Sequence, residues 1–313
     1  MNTPSNPPLV SVIVPMYGVE NYIARCAGSL FAQTYPDIEF IFVDDGGKDR
    51  TVEILRDLLA KQDPALQARV RIISKENGGL PHARKTGLDA ASGKYVLHVD
   101  SDDWLEPAAV EKLVRKAEET EADIVVYDFW KEYPNRSKLD REKDSSCADP
   151  DLFRHRLYTY DAYGYVWNKF CLLSLYDGVF VPKYAMHEDI VFSSQILFKA
   201  RKVVHLKEGL YHYDRSVSAS ATRAPQKIRR VNSARNLLDL YVHFEGQDPS
   251  PVSGLREEIF LRAAWAGFQH NRNLFREYPF LAPAVRAIPI TCGYHIGKVR
   301  QSIIKLFLLT HFR

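Results

Sequence analysis

The chain has 313 residues, 46% of them apolar and 26% charged, with a formal net charge of +3. That length can bury a full core as one large or two modest domains, and so small a net charge excludes nucleic-acid binding driven by bulk charge. Cys26, Cys147, Cys171 and Cys292 are scattered without metal-type spacing and read as reduced thiols of a cytosolic protein. The first eight residues lack the basic start and apolar stretch of a signal peptide, and no run has bilayer-spanning length. The expectation is a protein that is soluble or lies on a membrane surface.

In chain order, the β-branched run Val10–Val14 predicts a buried strand closed by Pro15, followed by helical spacing over 19–33. A second strand covers 38–43 and ends at Asp44-Asp45-Gly46-Gly47; a helix covers 50–61 and a third strand 70–73. Helix 80–91, strand 95–99, helix 107–120 and strand 124–129 complete the alternation. Strands alternating with helices imply a mostly parallel sheet covered on both faces, whose ligands bind beyond the carboxyl ends of the strands. Residues 131–150 read as an exposed charged excursion. The segment between Tyr158 and Tyr213 is rich in aromatic residues and histidine, and 226–244, 255–276 and 296–312 read as helices, basic toward the C-terminus.

The most informative run is Val96-Leu-His-Val-Asp-Ser-Asp-Asp103, an apolar strand that ends in three carboxylates within four residues. Clustered carboxylates repel one another unless a cation sits among them, and hard oxygen ligands suit Mg²⁺ or Mn²⁺ bridged to a substrate diphosphate. The plainer alternative is an acidic cap for the helix that Pro107 opens. A nucleotide site on this crevice assigns base stacking to Tyr17, a base N–H acceptor to Asp45, ribose to Asp100, metal to Asp102 and a second positive group to Arg84. The structural alternatives are a turn at Asp44 or Asp45 and a surface arginine at Arg84. No G-x-G-x-x-G follows the first strand and no P-loop is present, so dinucleotide and P-loop readings lack their phosphate cradles.

These segments resemble family 2 glycosyltransferases. The likeness is carried by Val12-Ile-Val-Pro-Met-Tyr17, Ser29-Leu-Phe-Ala-Gln-Thr34, Val43-Asp-Asp-Gly46 with Asp49 and Thr51, Asn77-Gly-Gly79 with Ala83-Arg84, and Asp100-Ser-Asp-Asp103. It continues through Trp167-Asn-Lys169, Glu188-Asp189, and Tyr211-His-Tyr213 with Ser218 and Ser220, then fades in the last ninety residues. Gly47, where serine is frequent, and Lys85, where asparagine is usual, depart from the pattern.

The resemblance implies an α/β GT-A (Rossmann-like) fold with flanking helices and a C-terminal helical extension. Residues 1–125 would form the nucleotide-sugar half, 126–223 the acceptor and base half, and 224–313 the extension. It implies inverting transfer of a sugar from a nucleotide diphosphate donor to an acceptor hydroxyl in surface-polysaccharide synthesis. The expected machinery is Asp189 as base beside Glu188, and a Mn²⁺ or Mg²⁺ ion on the DXD-type triplet at Asp102 and Asp103 with His212. Pro15, Tyr17, Asp45, Arg84, Asp100, Ser101, Trp167, Lys169 and Arg215 are expected around the donor, a UDP-sugar. Helix capping by Glu188 and Asp189, and packing roles for Trp167 and His212, are the alternatives.

The acceptor would be a glycan or a lipid-linked molecule. The tail offers Ile303, Ile304, Phe307 and Leu308 with Lys298, Arg300, Lys305 and Arg313, which suits an anionic membrane surface at the inner face of the cytoplasmic membrane as well as a helix packed on the protein. A nucleotidyltransferase and a non-catalytic nucleotide-sugar-binding protein are the competing readings. The first lacks a glycine-rich basic loop after the first strand, and the second has no use for a base.

Overall fold

The computed structural model describes residues 7–142, 149–159, 162–216, 225–245, 256–290 and 298–311. Cys147, Ser218, Ser220, Cys292 and Arg313, named above, lie outside the described residues. The chain divides into two compact units: Met1–Phe153 with Tyr165–Val179 and Lys199–Ser218, and Arg154–Gly164 with Phe180–Phe198 and Ala219–Arg313. Both differ from the expected consecutive division, because the chain passes between them more than once.

The first unit holds a nine-stranded sheet. Its strands are β1 Val10–Met16, β2 Ile38–Asp44, β3 Val70–Ser74, β4 Tyr95–His98, β5 Trp104–Leu105, β6 Ile124–Tyr133, β7 Arg136–Asp140, β8 Lys169–Leu172 and β9 Val203–Asp214. The order is β3-β2-β1-β4-β8-β6-β9-β5, with β7 paired to β6. β3, β2, β1 and β4 are parallel, as the alternating sequence requires. β8 then enters antiparallel between β4 and β6. The expected excursion at 131–150 is in part ordered sheet, since β6 runs on to Tyr133 and turns into β7 as a hairpin. Helices α1 Ile23–Phe31, α2 Thr51–Leu59, α3 Pro64–Gln67, α4 Leu80–Ala90 and α5 Ala109–Thr120 fill the crossovers.

Strand β1 is buried along its whole length, as a central strand covered on both faces should be. α4 packs so closely over it that a Cβ on Gly87 would stand 2.3 Å from Ile13 Cγ2, which is why a glycine is needed there. Burial of β1 up to Met16 and of β4 up to Val99 delivers the following loops to one edge of the sheet. Cys26 and Cys171 are buried free thiols.

After α6 Pro150–Thr159, the second unit is helical: α7 Glu188–Lys199, α8 Gln226–Glu245, α9 Arg256–His270, α10 Leu274–Glu277, α11 Leu281–Ala287 and α12 Lys298–His311. Tyr241 of α8 meets Phe260 of α9 edge to face at 4.7 Å. Phe307 of α12 packs against Phe268 and Phe275. Ile304, Phe307 and Leu308 are therefore core residues, which corrects the expectation that they enter a membrane; Ile303, Leu306 and Leu309 are the exposed apolar positions of α12. No helix of the described residues is long and apolar enough to cross a membrane.

This placement separates two neighbouring leucines. Leu308→Ala should lower the stability of the intact protein by ~2–5 kcal/mol in urea denaturation, whereas Leu309→Ala should change it by less than ~0.5 kcal/mol. Equal, small effects would contradict the inward face of α12.

Candidate functional site

The acidic triplet follows β4 and is fixed from beneath by β9. The Tyr211 hydroxyl, wholly buried, accepts from the Asp100 amide at 3.0 Å and donates to Asp103 Oδ2 at 2.6 Å. Asp103 Oδ1 accepts from the Asp214 amide at 2.8 Å. Asp103 is 0% exposed with both oxygens engaged, so it anchors the loop, and the expectation that it binds metal is corrected. Ser101 is buried beside it. Asp100 Oδ1 pairs with the Arg84 guanidinium at 2.8 Å, and Arg84 itself is 1% exposed. Arg84 thus acts from inside α4, by holding Asp100, and does not stand in the crevice as the sequence suggested.

Asp102 differs from both neighbours. Among the described residues its carboxylate takes only its own backbone N–H, and burial, then the Asp100 charge, pushes its pKa up to about 7. Arg25 donates to the Asp102 carbonyl at 2.7 Å and to Asp214 Oδ2 at 2.6 Å, and its guanidinium lies 3.8 Å over the Trp104 ring. Sequence reasoning missed Arg25 and Asp214, since nothing local in α1 or β9 marks them as partners of a loop 77 and 111 positions away.

His212 is also reassigned. Nδ1 meets Glu132 Oε1 at 2.8 Å and Nε2 meets Glu106 Oε1 at 2.9 Å, so both ring nitrogens are occupied by carboxylates of the protein. Its ring stacks on Trp104 with centroids 4.9 Å apart. Trp167 is 2% exposed and stacked between Tyr211 and Tyr165, which leaves no face for a sugar. Lys169 is fully buried and donates to the Tyr165 carbonyl and Asn168 Oδ1 at 2.7 and 2.9 Å. Both belong to the core under the site, against the expectation of donor contact.

At the end of β1, Pro15 is buried within the strand while the Tyr17 ring stands 60% exposed, in place to cover a flat ligand. Asp45 accepts from Lys75 Nζ at 2.7 Å and from the Gly78 and Gly79 amides at 2.9 and 2.8 Å. It anchors the loop before α4 and keeps about one acceptor position for a base N–H. Arg215 is exposed and donates to the Tyr213 hydroxyl at 3.1 Å. In the second unit Glu188 and Asp189 open α7, after His187 at a positive φ of 59°; Glu188 is buried and Asp189 partly so.

No cluster of three or more His, Cys, Asp or Glu among the described residues would hold a metal ion alone. One or two carboxylates do fit a Mg²⁺ or Mn²⁺ ion that completes its shell with diphosphate oxygens and water. Asp102, with Asp100 beside it, is a hard-oxygen set of that kind.

Residues 11–173 match the model of glycosyl transferase family 2. An uncharacterized glycosyltransferase EpsJ of Bacillus subtilis is 37% identical over 228 residues, 70% of this chain and 64% of EpsJ. The chain thus spans less than two thirds of that relative. Staphylococcus aureus TarS 1-349 in complex with UDP-GlcNAc superposes with a TM-score of 0.66 at 21% identity, over 90% of this chain and 82% of TarS 1-349. The mannosyltransferase PcManGT of Pyrobaculum calidifontis, in complex with GDP-Man and Mn²⁺, gives 0.55 at 16% identity, over 99% and 89%.

The free carboxylate and its anchored neighbours respond oppositely to substitution. Tyr211→Phe removes the hydroxyl from two buried groups and should cost ~1–3 kcal/mol. Asp102→Asn should leave stability unchanged or raise it at pH 8, because the folded state no longer carries a charge that burial and Asp100 disfavour. Chemical denaturation of both variants at pH 8 measures this; a large loss for Asp102→Asn would show that its carboxylate is a structural anchor. With its α/β GT-A architecture and this sequence match, the chain belongs to glycosyl transferase family 2.

Proposed function

We propose that the chain is an inverting, divalent-cation-dependent glycosyltransferase. It transfers a sugar from a nucleotide diphosphate donor, a UDP-sugar, to a hydroxyl of a glycan or lipid-linked acceptor in surface-polysaccharide synthesis. The observation that carries this reading is the division of the acidic loop: Asp103 is locked into the fold and Asp100 is paired, whereas among the described residues Asp102 has no side-chain partner. Family membership supports sugar transfer, and the UDP-GlcNAc complex of TarS supports the uridine donor.

Asp102, with Asp100, would hold the cation, which would supply positive charge to a diphosphate leaving group. Tyr17 covers the base, with Asp45 at its edge and Arg215 toward the phosphates. Asp189 accepts the proton of the acceptor hydroxyl as that oxygen bonds to the anomeric carbon. The nucleoside diphosphate departs from the opposite face, so the configuration inverts. Glu188, adjacent to it, is buried at the start of α7. The protein acts in the cytoplasm, and the exposed Ile303, Leu306 and Leu309 with Arg300 favour docking of α12 on an anionic membrane surface where lipid-linked acceptors stand.

Asp102→Asn, or EDTA on the parent protein, should nearly abolish release of nucleoside diphosphate; full activity after metal stripping would refute the cation's role. Asp189→Asn should lower turnover by ~10²-fold or more with donor affinity retained, as read by steady-state kinetics beside calorimetry. Loss of donor binding in step with turnover would move Asp189 out of the base role. UDP should bind more tightly than GDP in calorimetry with Mn²⁺ present; a clear preference for GDP would contradict the uridine assignment.

A further inference from the structure

The helical unit contains a cavity of about 310 Å³. It lies among α8, α9, α12 and the turn before α7. Arg229, Arg230, Arg262, Arg300, His187 and Trp265 line it together with Gln226 and small and apolar residues; no carboxylate is among the described residues that line it. Arg262 Nε pairs with Glu258 one helical turn away. Arg230 donates to two neutral groups, Gln269 Oε1 at 3.1 Å and His270 Nε2 at 3.3 Å. Arg229 Nε is buried with no hydrogen-bond partner among the described residues, and Arg300 spreads over the Trp265 ring at 5.4 Å. Burial and the charges of Arg262 and Arg229 hold His187 down to about 4, so the imidazole is neutral and adds no competing charge.

Arg262 is answered by Glu258, but the guanidiniums of Arg229, Arg230 and Arg300 share the same small space and repel one another, and a fold retains such a set where an anion relieves it. A carboxylate has two oxygens to offer. A phosphate group carries up to two charges on three or more oxygens and can accept from several planar forks at once. The indole beside Arg300 adds an apolar wall for whatever the phosphate is attached to.

We propose that this cavity is a binding site for a phosphate ester, distinct from the diphosphate site of the first unit and needing no metal ion. The ester reaches it either on a soluble molecule or as a lipid headgroup.

The test uses the full chain in EDTA, which silences the cation-dependent donor site, with inorganic pyrophosphate as probe and NaCl at matched ionic strength as control. Pyrophosphate should raise Tm and change the fluorescence of Trp265, a signal that Trp265→Phe removes. Binding should weaken tenfold or more in an Arg229→Gln/Arg300→Gln double variant and at least threefold in Arg300→Gln alone, whose exposed position on α12 spares the fold. It should persist in Asp102→Asn. An equal shift with NaCl, unchanged binding in Arg300→Gln, or loss of binding in Asp102→Asn would each overturn the proposal. Flotation with phosphatidate vesicles against glycerol phosphate titration separates the two sources: retention on vesicles lost in Arg229→Gln, which leaves α12 unchanged, identifies the headgroup, a tighter soluble ester the free ligand, and no binding of either overturns the site. None of these readouts involves sugar transfer, so failure here leaves the transferase reading standing.

Discussion

One phenol hydroxyl sets the geometry of the acidic loop. Tyr211 accepts from the amide that begins the loop and donates to the carboxylate that ends it, in a space closed to water. A buried hydroxyl with both functions satisfied costs the fold little, whereas either partner left alone would be expensive. The position of Tyr211 follows in turn from the pairing of β9 with β6 and β5, whose register brings Leu105 opposite Tyr211. The order of the candidate site therefore depends on a long-range strand alignment more than on the loop's own residues.

That constraint explains why three neighbouring aspartates behave differently. Asp103, with two protein donors and full burial, serves the fold; Asp100 shares its charge with the buried Arg84. Their engagement leaves Asp102 with the fewest protein donors of the three among the described residues; burial raises the carboxyl pKa of Asp102 and of Asp103 alike. A cation would offset that burial at Asp102, which is the usual trade of local stability for function. Beneath the loop, the stack of Tyr165, Trp167 and Tyr211 and the buried Lys169 form the floor.

Much of the fold was legible because the parallel strands are apolar runs and the helices carry their own spacing. β1 to β4 and the helices between them fall within a few residues of the expectation. β8 was not legible: four residues inserted antiparallel between β4 and β6 announce themselves by no local period, since their pairing is fixed by partners far away in the chain. The β6–β7 hairpin was hidden by its charged residues, which suit an edge strand as well as a loop. The contacts of the candidate site residues were not legible. Lys169 and Trp167 carry groups that bind ligands elsewhere, and only burial reveals them as core. His212 has the chemistry of a ligand, yet Glu106 and Glu132 claim both nitrogens.

The central claim is that Asp102 supplies the protein oxygen of a cation that grips the donor diphosphate. Anomalous scattering from a crystal grown with Mn²⁺ and UDP reads it directly. The account predicts one Mn²⁺ about 2 Å from an Asp102 oxygen and from diphosphate oxygens, with Asp103 still held by Tyr211. Manganese bound away from Asp102, or UDP seated without it, would contradict the account.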